Sequence, residues 1–368
     1  MRCRAAVLAE PNSRMTVETV RIDEPGPGEV LVRMGAASLC HTDLEVIEGS
    51  LVYPMPIVLG HEGAGTIEAV GAGVDESRRG QRVVLSWNPH CGRCFYCEDG
   101  QPILCERYRE LGGRAVAFDG TPKLHHGNSS VHTMFYIAAF AEYAVVTADC
   151  AVSIPDEMPL DRACLLGCAV LTGVGAASRI GRVTYGETVT VVGCGAVGLS
   201  AVHGARLAGA AQIVAIDRDP TRLAAASRMG ATQTVDAAHQ DPVEAVREIT
   251  AGRGADCVVE SAGNEPAFRT SVEVARVGGR IVWLGKVGVD EEVAFRWGSL
   301  MGEKQITRCS YGGARVQADI PALARSYLDG RLLLDELLTA RITLDDINHG
   351  FDELRSGRAI RSVVTFDS

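Results

Sequence analysis

Two textures of hydrophobic and polar positions follow one another along the chain. From residue 1 to about 170, short β-rich runs recur: AAVLA, EVLVRMGAAS, GTIEAVGAGV, QRVVLS and AEYAVV, with Gly and Pro between them. The PGPG cluster at Pro25–Gly28 is a turn of the kind that separates strands. This pattern predicts a small barrel or sandwich. From about Thr188 the rhythm changes. TVTVVG reads as a buried strand, LSAVHGARLAGA as a helix, QIVAID as a strand and PTRLAAASRMG as a helix. Short strands follow around TQTVD, DCVVE and RIVWLG, with helical stretches between them. Strands alternating with helices predict an α/β region with a parallel, doubly wound sheet. Beyond about residue 308 the elements shorten and end in the strand-like RSVVTF.

The 368 residues set a prior of two domains at ~150 residues each. At 46% hydrophobic and 22% charged the chain is globular in composition, which excludes disorder. The formal net charge is −10 and only three residues are lysine (Lys123, Lys286, Lys304), so neither nucleic acid nor an anionic membrane is an expected partner. The longest uncharged apolar stretch, Thr188 to Val202, is shorter than the ~20 residues of a membrane span. The start, MRCRAAVLAEP, lacks the long apolar core of a secretory signal. A cytoplasmic location is the expectation.

Candidate chemistry begins with the loop V-V-G-C-G-A-V-G. Gly193, Gly195 and Gly198 have G-x-G-x-x-G spacing between a predicted strand and a predicted helix. Glycine there permits a tight turn, a close approach of backbone to pyrophosphate, and close helix–strand contact. Asp217 ends the next strand, nineteen residues past Gly198. A carboxylate at that point accepts from ribose hydroxyls and repels a 2′-phosphate, which favours NAD over NADP. Arg218 and Arg222 follow closely and leave room for some NADP tolerance.

Four of the 12 cysteines, Cys91, Cys94, Cys97 and Cys105, are spaced C-x2-C-x2-C-x7-C. Four thiolates complete a tetrahedral zinc shell with no place for water, so this metal would be structural. Iron–sulfur ligation is the competing reading. Elsewhere, S-L-C-H-T-D (38–43) and L-G-H-E-G (59–63) supply Cys40 and His61 as the first ligands of an open zinc site. Spacing leaves the third open among Cys150, Cys164 and Cys168. Asp43 is a candidate acceptor for the imidazole, and Glu62 lies beside the site.

Together these pieces resemble the zinc-dependent medium-chain alcohol dehydrogenases over essentially the whole chain. The matching segments are C-H-T-D (40–43), G-H-E (60–62), the four-cysteine run, G-C-A-V-L-T-G (167–173), G-C-G-A-V-G (193–198) with Asp217, I-N-H-G-F-D-E-L (347–354) and I-R-S-V-V-T-F (360–366). The resemblance implies a GroES-like catalytic domain from residues 1–170 and 308–368, and a Rossmann NAD-binding domain from 171–307. It implies Cys168 as the third catalytic zinc ligand, two zinc ions per chain, and a homodimer. By position, Thr42 matches the hydroxyl that bonds the alcohol and begins a proton relay. His41 and Arg361 match cofactor-phosphate contacts, Arg222 an adenosine-side contact, and Thr172 and Val197 residues beside the nicotinamide. Where several relatives carry a relay histidine this chain has Glu45, so either Glu45 or water carries the proton onward.

The same alignment lines a pocket with Leu51, Trp87, Met134, Phe135, Leu284 and Tyr311, and places Leu284 at the cofactor as well. Large apolar residues suit an aromatic or medium-chain primary alcohol. A second reading within the family is a thiol-dependent formaldehyde dehydrogenase. Arg109 falls where such enzymes bind a substrate carboxylate, but the expected acidic partner is Leu51. A reading from another class, a non-catalytic NAD- and zinc-binding redox sensor, predicts a missing ligand or relay hydroxyl. Cys40, Thr42, His61 and Cys168 are all present.

Overall fold

The run Glu29–Ser38 (EVLVRMGAAS) is the spine of the first half of the molecule. All but two of its residues are buried, as expected of a strand covered on both faces. In the computed structural model, which describes residues 1–366, it pairs with Glu62–Val70, Tyr143–Thr147 and Arg361–Thr365. These strands belong to a seven-stranded sheet that continues to Ala151–Ser153 on one side and Leu338–Ile342 on the other. A second sheet closes into a barrel from Arg2–Leu8, Thr16–Ile22, Leu124–His126, Ser129–Thr133 and Ile57–Val58. The β-rich texture thus resolves into a barrel together with a larger sheet, where barrel or sandwich had been the alternatives.

Two register pairs in this unit position chemistry. Ser38 lies opposite Glu62 on one side and Val363 on the other. The strand's exit into Cys40 therefore meets the entry of His61–Glu62 and the entry of Arg361.

The other unit is a six-stranded, wholly parallel sheet in the order Gln233–Asp236, Gln212–Asp217, Thr188–Val192, Ala255–Glu260, Ala275–Trp283, Gln305–Arg308. The first strand in sequence lies inside the sheet, so the chain direction switches beside it; ligands of such sheets bind at that point. The chain enters this unit after Cys168 and leaves it at Arg315, near but not at the boundaries expected from texture. The return comes later because the Tyr311–Gly313 turn packs on Gly175, where a Cβ would lie 2.3 Å from the Gly312 carbonyl oxygen. No single helix among the described residues is long and apolar enough to cross a membrane.

Asp256 clamps the starts of three of these strands. Its carboxylate accepts from the Thr188 N–H at 2.8 Å and from Arg276 Nε at 2.6 Å. Burial opposes its charge, but those two donors hold its pKa below the ordinary value. A depressed folded pKa contributes stability above the unfolded pKa and loses it as pH falls through the folded one. Asp256→Asn should therefore lower stability by about 1–3 kcal/mol at neutral pH, with the difference from wild type shrinking below about pH 4. Urea midpoints measured across pH check this.

Candidate active site and cofactor loop

Cys40 caps the helix His41–Ile47, and Asp43, one turn in, folds back onto the strand exits. Its carboxylate accepts from the Cys40 N–H at 3.1 Å, the Gly60 N–H at 3.0 Å and His61 Nδ1 at 3.1 Å. Gly60 is required at the turn before His61: its φ is 95°, and a Cβ would sit 2.8 Å from the Phe140 nitrogen. With Nδ1 committed to Asp43, Nε2 is the imidazole nitrogen left for a ligand role. Cys168 arrives from a different segment, where Gly167 runs against the Leu85 carbonyl and the Glu62 backbone. The ligand atoms of Cys40, His61, Glu62 and Cys168 all lie within 4.8 Å of one another.

The electrostatics of this cluster are those of a metal pocket. The neighbouring Cys168 thiol lowers Cys40 well below the ordinary thiol range, against the effect of burial, and Arg361 and His61 add to the lowering. Cys168 rises in return, with burial adding to the rise. Burial alone would lower His61, yet Asp43 and Cys40 hold it well above its usual value. Burial pushes Glu62 up to about 8 despite the Arg361 guanidinium. Arg361 Nη2 donates to Glu62 Oε1 at 3.2 Å and approaches Cys40 Sγ at 3.5 Å. Glu62 Oε2 and Arg361 Nε are buried without a hydrogen-bond partner among the described residues. Two thiols, an imidazole and an under-satisfied carboxylate form a donor set that suits zinc. Thr42 and Glu45 are half-buried on the helix that follows Cys40, and His41 is exposed.

The second cluster is more open. Cys91, Cys94, Cys97 and Cys105 also bring their sulfurs within 4.8 Å of one another. Backbone N–H groups support thiolate character: Cys91 donates to Cys105 Sγ at 3.3 Å and Glu106 to Cys94 Sγ at 3.5 Å. The N–H groups of Glu106 and Cys97 draw Cys94 down to about 6. Four sulfurs and no other donor make this a closed shell. All 12 cysteines are free thiols rather than disulfides.

In the parallel-sheet unit, each glycine of the loop has its own task. Gly193 turns at φ 90° against Ala262, where a Cβ would come within 2.8 Å of the Ala262 nitrogen. A Cβ at Gly198 would lie 1.8 Å from the Gly193 carbonyl oxygen, so only glycine lets the helix meet the strand. At Gly195 a Cβ would meet nothing within 4 Å, leaving this face open to a ligand. The helix Ala196–Leu207 begins there with no side-chain cap and carries Val197 half-buried in its first turn. Asp217 accepts from Cys194 N–H at 2.6 Å, Arg218 N–H at 2.7 Å and Asp219 N–H at 3.0 Å. Its carboxylate is thus fixed at the strand end and also holds the glycine loop. Arg222 pairs with Asp219 at 3.8 Å, and Arg218 is exposed. Thr172 and Leu284 are half-buried and Tyr311 is buried.

An aromatic wall stands beside His61. The Phe135 ring meets the imidazole edge-on at 5.4 Å, with Trp87 tilted against it at 5.5 Å and Tyr53 edge-on at 6.1 Å. Tyr53 was not picked out in the sequence; its only signal was an aromatic residue just after Leu51. Met134 is fully buried in the barrel-side core, Leu51 is half-buried against that core, and Arg109 is exposed on the helix Glu106–Gly112.

Comparison with known proteins agrees with this geometry. Residues 26–156 match the alcohol dehydrogenase GroES-like domain, and residues 196–327 match the zinc-binding dehydrogenase family. The NDMA-dependent alcohol dehydrogenase of Amycolatopsis methanolica is 37% identical over 370 residues, covering 99% of each chain. The chain belongs to the zinc-dependent medium-chain alcohol dehydrogenases. Another member of the family, the S-(hydroxymethyl)glutathione dehydrogenase of Komagataella pastoris, is 33% identical, over 99% of this chain and 98% of the relative. The crystal structure of benzyl alcohol dehydrogenase from Acinetobacter calcoaceticus superposes with a TM-score of 0.94 at 32% identity, covering 100% of both chains. As a medium-chain alcohol dehydrogenase, the protein is an oxidoreductase that works with zinc and NAD.

Cys97→Ser should release one zinc per chain, measured by elemental analysis, and lower thermal stability; full retention of zinc would contradict the closed-shell assignment. Asp217→Asn, which keeps an acceptor but removes the charge, should raise the NADP/NAD ratio of kcat/KM about tenfold or more. An unchanged ratio would remove Asp217 from ribose selection.

Proposed function

We propose that this dehydrogenase interconverts an aromatic or medium-chain primary alcohol and its aldehyde, with NAD as the hydride partner. The aromatic wall carries this reading: Phe135, Tyr53 and Trp87 present flat apolar surface beside His61. In this assignment Cys40, His61 and Cys168 would hold the catalytic zinc, with Glu62 the carboxylate beside them. Cys91, Cys94, Cys97 and Cys105 hold the structural ion. Bound zinc supplies Lewis acidity that lowers the pKa of an alcohol, and the nicotinamide accepts the hydride.

The chain's own residues do the rest. Asp43 fixes the imidazole of His61 and the backbone around Cys40. Thr42 accepts the hydroxyl proton while donating its own outward, to Glu45 or to water. Glu45, three residues on, shares that face of the helix. The free Nε of Arg361 and the exposed His41 are the donors assigned to cofactor phosphate. Gly193, Gly195, Val197 and Gly198 receive the pyrophosphate, Asp217 the ribose, and Arg222 the adenosine side.

We further assign a homodimer and a cytoplasmic location. The edge strand Gln305–Arg308 is exposed at all four positions, and Trp297, Met301 and Val277 are exposed large apolar residues of the same unit. An open edge with apolar neighbours is a liability that a second copy would cover. Free thiols throughout suit a reducing compartment.

Initial NADH formation with benzyl alcohol, 1-hexanol, ethanol, and formaldehyde with and without glutathione tests the substrate reading. One arm adds NDMA as acceptor, because a relative depends on it. Benzyl alcohol should be preferred over ethanol. Turnover only with formaldehyde plus glutathione would instead make Arg109 a substrate contact. His61→Ala should abolish turnover while the protein still binds NAD.

A further inference from the structure

Phe135, which faces His61, stands on backbone that its side chain disfavours. Phe135 (φ 47°, ψ 35°), Tyr136 (φ 65°) and Ala138 (φ 56°) are left-handed without being glycine. Such a conformation persists only where the surroundings over-determine it. Its consequence is that three consecutive side chains leave in three directions. Met134 enters the main core with no exposed surface, and Phe135 faces His61. Tyr136 enters a separate small core made with Leu111, Val116, Tyr108 and Phe118.

That small core belongs to the segment directly after the four-cysteine lobe. Cys105 is both a member of the sulfur cluster and the cap of the helix Glu106–Gly112. The Tyr136 hydroxyl donates to the Tyr108 carbonyl on this helix at 2.6 Å, and the two rings lie 5.2 Å apart. Phe118 meets the Tyr136 ring edge-on at 5.7 Å, and Arg107 donates to the Phe118 carbonyl at 2.8 and 3.1 Å. The Tyr108 ring also tilts against Trp87 at 6.3 Å, and Trp87 against Phe135. Both routes lead from the cysteine lobe to the wall beside His61.

We propose that Tyr136 is a positioning residue for aromatic substrates. Its anchored hydroxyl holds the left-handed turn that aims Phe135, and this makes the four-cysteine lobe part of substrate selection as well as of stability. The proposal rests on the aromatic-alcohol reading above. A purely structural Tyr136 would weaken all substrates together, whereas a positioning Tyr136 weakens those that need the wall.

Tyr136→Phe keeps the ring and removes only the donor. The kcat/KM ratio of benzyl alcohol to ethanol should fall about three- to tenfold, chiefly through the KM for benzyl alcohol. Benzamide, an unreactive aromatic probe, should bind more weakly by a similar factor in calorimetry. Val116→Ala, which loosens the same small core without touching its hydrogen bond, should move the ratio in the same direction. A parallel loss on both alcohols, or an unchanged ratio in folded Tyr136→Phe, would overturn the proposal. A wild type with no preference for benzyl alcohol over ethanol would overturn the substrate reading, and this proposal with it.

Discussion

The site depends on gathering four acidic side chains around one guanidinium and one imidazole in a buried place. Asp43 and Glu62 have no exposed side-chain surface, Cys40 is buried, and Cys168 lies beside it, while Arg361 is the one buried guanidinium that meets them. Mutual contact lowers Cys40 and raises Cys168, and burial raises Glu62, so these acidic groups compete for the same charge balance. A divalent cation held by these donors would favour both thiolates and offset the cost of burying them. The same constraint accounts for the surrounding backbone. Register sets Ser38 between Glu62 and Val363, Gly60 permits the turn into His61, and Gly167 lets Cys168 come close.

The two sulfur clusters show how coordination number separates tasks. In the lobe after Cys91 the gathered donors are all sulfur, a set that would close a tetrahedral shell, so any effect on chemistry proposed for it must travel through packing. Beside Cys40 the sulfurs are joined by an imidazole fixed from behind and by a carboxylate with an unsatisfied oxygen. That mixed set can admit a further oxygen ligand. The parallel-sheet unit presents bare backbone at Gly195 and a fixed carboxylate at Asp217, the features to which the proposed function assigns pyrophosphate and ribose.

Much of this was legible in the sequence wherever the determinants are local. The four-cysteine spacing, the glycine loop with Asp217, and the Cys40 and His61 segments are short motifs whose geometry follows from spacing. Cys168 was not legible from spacing alone, because the packing of Gly167 against Leu85 and Glu62 brings it in; the family resemblance pointed to it. The resemblance points to Arg361 only as a cofactor contact, and its bond to Glu62 depends on the antiparallel pairing of both Arg361–Thr365 and Glu62–Val70 with Glu29–Ser38. The aromatic wall was legible in composition but not in direction. Adjacent Met134, Phe135 and Tyr136 look alike as a hydrophobic run, and left-handed backbone sends them to separate places. Barrel and sandwich could not be told apart for a similar reason, since closure depends on long-range pairing such as Val7 with Val58.

Zinc-edge X-ray absorption with elemental analysis on the purified wild-type protein tests the central claim most directly. Two zinc ions per chain are the expected result. Four thiolates in one shell and two in the other then average three sulfur neighbours per ion. A single zinc with four sulfur neighbours would leave the Cys40–His61–Cys168 cluster without its metal and contradict the account.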